Sequence, residues 1–173
     1  MNQPMPKFQE EYSAKLPALA LLSQLGWSFL SPQQAVIARQ GHYDQVVLRD
    51  ILRSELQKRR FTFAGREYAL SSHALDNLIA EVCSPALNEG LLSANEKLYN
   101  HLLYGISITE FVDGKKANPT IALIDWHNPA NNHFSFTEEF SITRAGGVDT
   151  RRPDIVCFVN GIPLIVIEAK RPN

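Results

Sequence analysis

The spacing of apolar residues changes at Gly105, and this change constrains the fold more than any other feature of the sequence. Before Gly105 the apolar residues recur every three or four positions, which is typical of amphipathic helices. After it they tend toward a period of two, which is typical of half-buried strands. We therefore expect an α/β (α+β) fold with helices flanking a mixed or largely antiparallel sheet. Residues 1–105 form its mainly helical part and residues 106–173 its β-rich core.

Individual elements follow from the same periodicity and from turn-forming residues. The predicted helices are residues 8–25, residues 44–60, a segment capped by Ser71 or Ser72, and residues 94–104. Pro17 predicts a kink or a late start in the first of them. The predicted strands are residues 106–112, 120–126, 134–142, 154–159 and 163–170, separated by Asp113-Gly114, Asn128-Pro129 and Gly146-Gly147.

Composition excludes several classes of protein. With 173 residues and 45% hydrophobic content, the chain can bury one core. Its 17 basic and 18 acidic residues give a net charge of −1, so any contact with a polyanion must be local. Cys83 and Cys157 lack metal-ligand spacing and are interpreted as reduced thiols. Because we find neither a signal peptide nor an apolar run of about 20 residues, we expect a cytoplasmic protein that does not contact membranes.

The segment from Arg151 to Lys170 contains the residues best suited to chemistry. Two apolar strands meet at Asn160-Gly161, and their outer ends are charged: Asp154 begins the first strand, and Glu168 and Lys170 end the second. Side chains two residues apart on a strand share one face, roughly 6.5–7 Å apart. A carboxylate and an ammonium group therefore stand side by side at one end of the hairpin.

The register of this hairpin decides whether the carboxylates can meet. A regular two-residue turn at Asn160-Gly161 pairs Asp154 with Ile167, which puts Asp154 and Glu168 on opposite faces. A shared site therefore requires a three- or five-residue loop, or a bulge near residues 161–163. The missing N–H of Pro163 suits such an irregularity.

The cleavage of a phosphodiester needs a hard cation, a polarised water and positive charge near the phosphate. Asp154, Glu168 and the backbone carbonyl of Ala169 can supply oxygen ligands to Mg²⁺. Lys170 can orient or help to deprotonate the attacking water and can counter the phosphate charge. Asp154, Glu168 and Lys170 are therefore the candidate catalytic residues. Arg151 and Arg152 either contact DNA phosphates or are simply solvated.

This segment resembles the motif of the PD-(D/E)xK nuclease superfamily, with Pro153-Asp154 as the first half and Glu168-Ala169-Lys170 as the second. Most of residues 95–173 also resembles the N-terminal part of type I restriction endonuclease R subunits, and residues 8–27 fit the opening of that family more weakly. The matching segments are Leu102-Leu103-Tyr104-Gly105, Ile124-Asp125-Trp126, Asn128-Pro129 with Asn131-Asn132, Arg151-Arg152-Pro153-Asp154, and Asn160-Gly161-Ile162-Pro163-Leu164.

The resemblance implies a restriction-endonuclease-like core that hydrolyses double-stranded DNA with Mg²⁺, for which Mn²⁺ can substitute. It also implies a longer subunit that contains an ATP-driven DNA translocase and assembles with modification and specificity subunits. We find no Gly-x-x-x-x-Gly-Lys-Ser/Thr phosphate loop, so ATP would bind only through a motor region absent from this sequence.

Many nucleases of this branch carry a Gln-x-x-x-Tyr element on a helix after the lysine, whereas this sequence stops at Asn173. We therefore expect the catalytic core to be truncated at its C-terminal end and the isolated fragment to be inactive. Two other functions stay open: a vestigial nuclease-like module that binds DNA or docks subunits, and a Holliday-junction or repair nuclease with the same motif. Without any such function, Glu168 would form a structural salt bridge with Lys170 or Arg152.

Five further acidic or histidine residues have simpler interpretations. Asp125 ends an apolar strand and is interpreted as a turn or cap residue. His127 and His133 could ligate a metal, but no acidic or cysteine partner lies at matching spacing, so polar loop residues are the preferred interpretation. Glu10 and Glu11 either add a carboxylate beyond the direct ligands of the metal or are simply solvated at the start of the first helix.

Overall fold

The computed structural model describes residues 14–84, 90–144, 147 and 149–170. The helices in this part of the chain are α1 (Leu16–Gln24), α2 (Pro32–Ala38), α3 (Arg49–Gln57), α4 (Ser72–Cys83) and α5 (Leu91–Tyr104). The strands are β1 (Ser28–Leu30), β2 (Arg60–Phe63), β3 (Arg66–Ala69), β4 (Ile106–Ser107), β5 (Glu110–Val112), β6 (Lys115–Ala117), β7 (Thr120–Ile121), β8 (Phe134–Glu138), β9 (Ile142–Thr143), β10 (Thr150–Arg151), β11 (Ile155–Val159) and β12 (Ile162–Ile167). The predicted α+β class is confirmed.

A four-stranded sheet forms the centre of the molecule, in the order β1-β8-β11-β12. β1 pairs with β8 in parallel, whereas β8, β11 and β12 pair antiparallel to one another. The sheet is therefore mixed, as the sequence predicted. The remaining strands form two-stranded ladders: β2 with β3, β4 with β7, β5 with β6, and β9 with β10.

β11 is buried on both faces of this sheet, which explains its uninterrupted apolar sequence. On one face Ile155 and Cys157 pack with Phe136 and with α1. On the other, Val156 and Phe158 pack with α2. Because each face has its own helix, the strand next to Asp154 is held from both sides.

The part before Gly105 is less helical than the sequence predicted. It contains β1, the β2–β3 hairpin and a helix that was not expected, α2. The start of α2 carries a recognisable signal, because Ser31 Oγ accepts the N–H of Gln34 while the Gln34 side chain accepts the N–H of Ser31. This reciprocal cap, with a proline in the first turn, is a known helix start.

Several predicted elements have shorter bounds in the structure. The helix predicted at 44–60 covers only α3, since Arg60 already pairs in β2. The strand predicted at 106–112 is divided into β4 and β5. The strand predicted at 134–142 breaks after β8, where Glu139 adopts a left-handed φ of 50°.

Other local predictions are confirmed. Ser71 caps α4 by accepting the N–H of Ala74 at 3.1 Å. In α1, Pro17 lies in the first turn, which agrees with a late helix start, and residues 8–13 of that prediction lie outside the described residues. Cys83 and Cys157 are free thiols, and burial raises the pKa of each. The described helices include none with the length and apolar character needed to cross a bilayer.

Candidate functional site

The β11–β12 hairpin combines a tight turn with a bulge. Val159 pairs with Ile162 across Asn160 and Gly161, whose φ angles of 52° and 80° suit a two-residue turn. Further along, Phe158 pairs with Pro163 and Cys157 with Ile165, so Leu164 has no partner in this ladder. The bulge that the site requires is therefore present, one residue beyond the predicted segment, and the two-residue turn is compatible with it.

This bulge shifts the register by one residue at the open end of the hairpin. Ile155 pairs with Ile167, so Asp154 and Glu168 are the next positions outward. The side chain of Asp154 reaches across the gap, and its Oδ2 accepts the N–H of Ala169 at 2.8 Å. The hairpin thus brings Asp154 against the backbone of the second half of the motif.

Glu168 and Lys170 are exposed on either side of the buried residue Ala169. Within the described part of the chain, neither Glu168 nor Lys170 makes a hydrogen bond or an ion pair. The structural salt bridge that the sequence allowed for Glu168 is therefore not formed there. Arg152 instead contacts Glu139, with 2.7 Å between Nε and Oε2. Both charged groups, which follow β12 directly, are exposed and therefore accessible to a ligand.

A chain of ion pairs lies next to the backbone of Asp154, because its central residue, Glu139, donates its N–H to the carbonyl of Asp154. The buried ammonium of Lys15 contacts Glu138 at 2.9 Å and Glu139 at 2.5 Å, and Glu139 in turn contacts Arg152. Burial by itself lowers the pKa of Lys15, but hydrogen bonds and charge from Glu139 and Glu138 outweigh it and raise this pKa above its ordinary value. The two glutamates are thereby neutralised locally. Sequence reasoning missed this cluster because its members come from distant segments.

The residues at the open end of the hairpin carry oxygen atoms of the kind that a hard divalent cation takes. The carboxylates of Asp154 and Glu168 and the carbonyl of Ala169 could serve as oxygen ligands, which Mg²⁺ prefers, and Mg²⁺ commonly keeps several waters besides one or two carboxylates. The described residues include no group of three or more His, Cys, Asp or Glu side chains that could hold a metal. A cation here would therefore rely on Asp154, Glu168, one backbone oxygen and water.

Asp125 organises the loop before β8, as the sequence predicted. Its carboxylate accepts the N–H groups of His127 and Asn128 and the side-chain amide of Asn131, at 3.2, 2.9 and 2.8 Å. The hydrogen bond from Asn131 contributes most to holding the pKa of Asp125 below its ordinary value. Neither His127 nor His133 belongs to a metal-binding group among the described residues, and Glu10 and Glu11 lie outside them.

Asn160 is a structural residue whose importance the sequence did not reveal. Its side chain is fully buried and accepts the N–H of His133 at 2.8 Å. Its amide donates to the carbonyl of Leu123 at 2.8 Å and to Asn132 at 2.9 Å. The carbonyl of the next residue, Gly161, accepts the N–H of Leu48 at 2.8 Å. The turn that sets the register is therefore anchored to two other segments.

The sequence pattern of the whole chain identifies its family. A family model described as Type I restriction enzyme R protein N terminus matches residues 7–173. The chain belongs to this R protein N-terminal family. It is 29% identical over 89% of its length to the type I restriction enzyme HindI endonuclease subunit of Haemophilus influenzae. It is also 26% identical over its full length to the MjaIXP endonuclease subunit of Methanocaldococcus jannaschii, named as a type I restriction enzyme.

This member of the R protein N-terminal family spans a small part of those relatives, 14% of the first and 16% of the second. No solved structure matches it. Its family is therefore shown by sequence similarity, while the arrangement of Asp154, Glu168 and Lys170 comes from the fold described above.

Proposed function

We propose that this domain is the endonuclease domain of a type I restriction enzyme, which hydrolyses phosphodiester bonds of double-stranded DNA with Mg²⁺. Asp154, Glu168 and the carbonyl of Ala169 are the proposed cation ligands, and Lys170 is the proposed catalytic lysine. The observation that carries the proposal is the hydrogen bond from the Ala169 N–H to Asp154, made across a hairpin whose bulge brings positions 154 and 168 together.

Each side chain has a distinct part in the proposed reaction. Asp154 is partly buried, and its hydrogen bond with Ala169 fixes one carboxylate oxygen while the other stays available as a ligand. A bound Mg²⁺ would supply Lewis acidity and a more acidic water. The exposed ammonium of Lys170 can orient the attacking water and counter the charge that accumulates on the phosphate.

DNA binding is proposed to be local and electrostatic. Arg151 is exposed on β10 and, with Arg144, lines a groove next to Pro153. Arg152 is partly engaged by Glu139, so it contributes less. Few phosphate contacts on a nearly neutral chain imply weak binding whose dependence on salt concentration is shallow, because that dependence scales with the number of phosphates contacted.

The relatives are described as endonuclease subunits, and the proposal for this chain includes the same setting. In that setting the domain acts beside an ATP-driven motor that lies outside this sequence, and assembles with modification and specificity subunits. Coupling to these partners decides when DNA is cut, whereas the residues named above carry out the cutting.

Titration calorimetry with Mn²⁺ and Mg²⁺ tests the site. We expect the wild-type chain to bind a divalent cation and Asp154→Asn or Glu168→Gln to lose most of that affinity. Glu96→Gln is the matched control, because Glu96 is an exposed carboxylate on α5. In the complete subunit, Asp154→Asn, Glu168→Gln and Lys170→Ala should each abolish plasmid cleavage and leave ATP hydrolysis nearly intact. Wild-type cleavage by any of them would remove that residue from the site.

A non-catalytic module is the second candidate. It is favoured because, among the described residues, Asp154 and Glu168 are not joined by a third side chain that could hold a metal. Such a module would bind duplex DNA with no cation binding that depends on Asp154, so the same titration separates the two functions. A preference for four-way junctions over linear duplex would favour a junction nuclease instead.

A further inference from the structure

Arg39 is a buried charge that the proposed chemistry does not use. It lies at the C-terminal end of α2 and is only 1% exposed. Within the described residues it forms no ion pair with a carboxylate, and its Nε has no hydrogen-bond acceptor. Burying a charge without an opposite charge is costly, so the guanidinium must gain free energy from other contacts.

Those contacts are made with the segment that follows β8 and with residues 43–45. The guanidinium carbon lies 4.1 Å from the centre of the Phe140 ring and 5.3 Å from that of Tyr43. Nη1 donates to the carbonyl of Ser141 at 3.0 Å and to that of Gln45 at 3.1 Å. Burial lowers the pKa of Arg39, yet an arginine stays protonated at neutral pH. Arg39 therefore holds residues 140–141 by stacking and by a charge-assisted hydrogen bond.

The same segment holds the backbone of the first half of the motif. The N–H of Glu139 donates to the carbonyl of Asp154 at 2.9 Å, and the N–H of Phe140 donates to that of Pro153 at 3.2 Å. Glu139 has a left-handed φ of 50°, which is uncommon for a residue with a side chain. Such a conformation persists only where the surroundings impose it, and Arg39 supplies part of that constraint.

We propose that Arg39 is a positioning residue for Asp154: it fixes the bend at residues 139–141, and this bend fixes the backbone from which the Asp154 carboxylate reaches Ala169. The chain of contacts runs from the guanidinium through Phe140 and Ser141 to the carbonyls of Pro153 and Asp154. This inference rests on the proposed function in one respect only, that Asp154 is a cation ligand. Residues that hydrogen-bond directly to a metal ligand typically change metal affinity by about 10–100-fold, and Arg39 acts on Asp154 through one further layer of contacts.

Amide hydrogen exchange of the metal-free, 173-residue chain tests the contact directly. Arg39→Lys keeps the charge but loses the flat stacking surface and the forked donor geometry. We expect the amides of Glu139 and Phe140 to exchange at least about tenfold faster, while those of the β2–β3 hairpin are unchanged. Arg59→Lys is the matched control, because Arg59 also has buried N–H groups without acceptors and, among the described residues, forms no hydrogen bond or ion pair with residues 139–154.

Mn²⁺ titration of the same variants provides the second measurement. Arg39→Lys should weaken Mn²⁺ binding by about 10–100-fold and Arg59→Lys by less than about twofold. If Arg39→Lys does not fold, Phe140→Leu removes the stacked ring without leaving a new polar group, and it should accelerate exchange at the same two amides.

Four outcomes separate the inference from the proposed function. Unchanged exchange at Glu139 and Phe140 would overturn it, and so would uniform loss of protection, since Arg39 would then be only a stabilising residue. Selective loss of protection with weakened Mn²⁺ binding would support it. If the wild-type chain shows no Mn²⁺ binding that depends on Asp154, the proposed function fails, and hydrogen exchange alone decides whether Arg39 positions this backbone.

Discussion

Gly161→Ala should destabilise the protein more than an ordinary turn substitution does, because the turn lies directly against another backbone segment. A Cβ at position 161 would approach the carbonyl oxygen of Leu48 to 2.6 Å and the nitrogen of Leu52 to 2.9 Å. These are main-chain atoms, so no side-chain rotation can relieve the overlap. Gly161 also has a φ of 80°, a conformation that disfavours a side chain.

The two effects can be given separate magnitudes. The left-handed backbone costs roughly 1–2 kcal/mol for a residue with a Cβ. Overpacking in a close-packed region costs roughly 1–3 kcal/mol more. The expected loss is therefore about 2–5 kcal/mol, a large part of the roughly 5–15 kcal/mol that stabilises a typical domain.

Gly114→Ala is a matched control for this prediction. Gly114 occupies the same position of a two-residue turn between β5 and β6, with a φ of 75°, and a Cβ there would meet nothing within 4 Å. Chemical denaturation of both variants measures the two losses of unfolding free energy. Gly114→Ala should show the cost of the left-handed backbone without the steric overlap. Replacing glycine by alanine reduces the entropy of the unfolded chain equally in both variants, so this effect cancels when they are compared. Equal losses would refute the argument that close approach to Leu48 constrains the turn.

Two further predictions concern buried polar groups. Asn160→Ala should lower the free energy of unfolding by about 2–5 kcal/mol, since it leaves the N–H of His133 and the carbonyl of Leu123 without their partner. Chemical denaturation measures this loss, and a midpoint near that of the wild-type protein would contradict the prediction. Lys15→Met should cost about 1–3 kcal/mol at neutral pH, because it leaves the carboxylates of Glu138 and Glu139 without their partner while both stay partly exposed to water. Because the folded-state pKa of Lys15 lies above its ordinary value of 10.5, its stabilising contribution is complete below pH 10.5 and is lost as the pH rises through the folded value. Stability curves of the two proteins should therefore converge in that alkaline range, and curves that stay parallel would show that Lys15 does not act through its charge.

Local signals in the sequence were sufficient for the fold class, and they also nominated the candidate site residues. The change of hydrophobic period at Gly105 predicted helices on a mixed sheet, and Ser71 predicted the start of α4. The positions of Asp154, Glu168 and Lys170 at the charged ends of one hairpin were also evident. The fold class and the start of α4 were predicted correctly because caps, turns and strand periodicity depend on residues a few positions apart, whereas the roles of the three charged residues stay predictions.

The register of the hairpin was only partly determined by sequence. The chemistry required an irregularity, but a bulge can be placed at any of several neighbouring residues at similar local cost. Packing decided that it lies at Leu164. The buried side chain of Asn160 and the contact between Gly161 and Leu48 hold the two-residue turn, so the extra residue falls further along β12.

Long-range contacts were beyond any local pattern. Lys15 meets Glu139, and Arg39 meets Phe140 and Ser141, through segments that are distant in sequence. Nothing in the residues around Arg39 distinguishes a buried arginine from a solvated one, because burial is a property of the elements packed around it. The sequence by itself determined which groups are candidates for chemistry, whereas the tertiary structure decided how the backbone of Asp154 is held, since only packing brings Lys15 and Arg39 to the segment that follows β8.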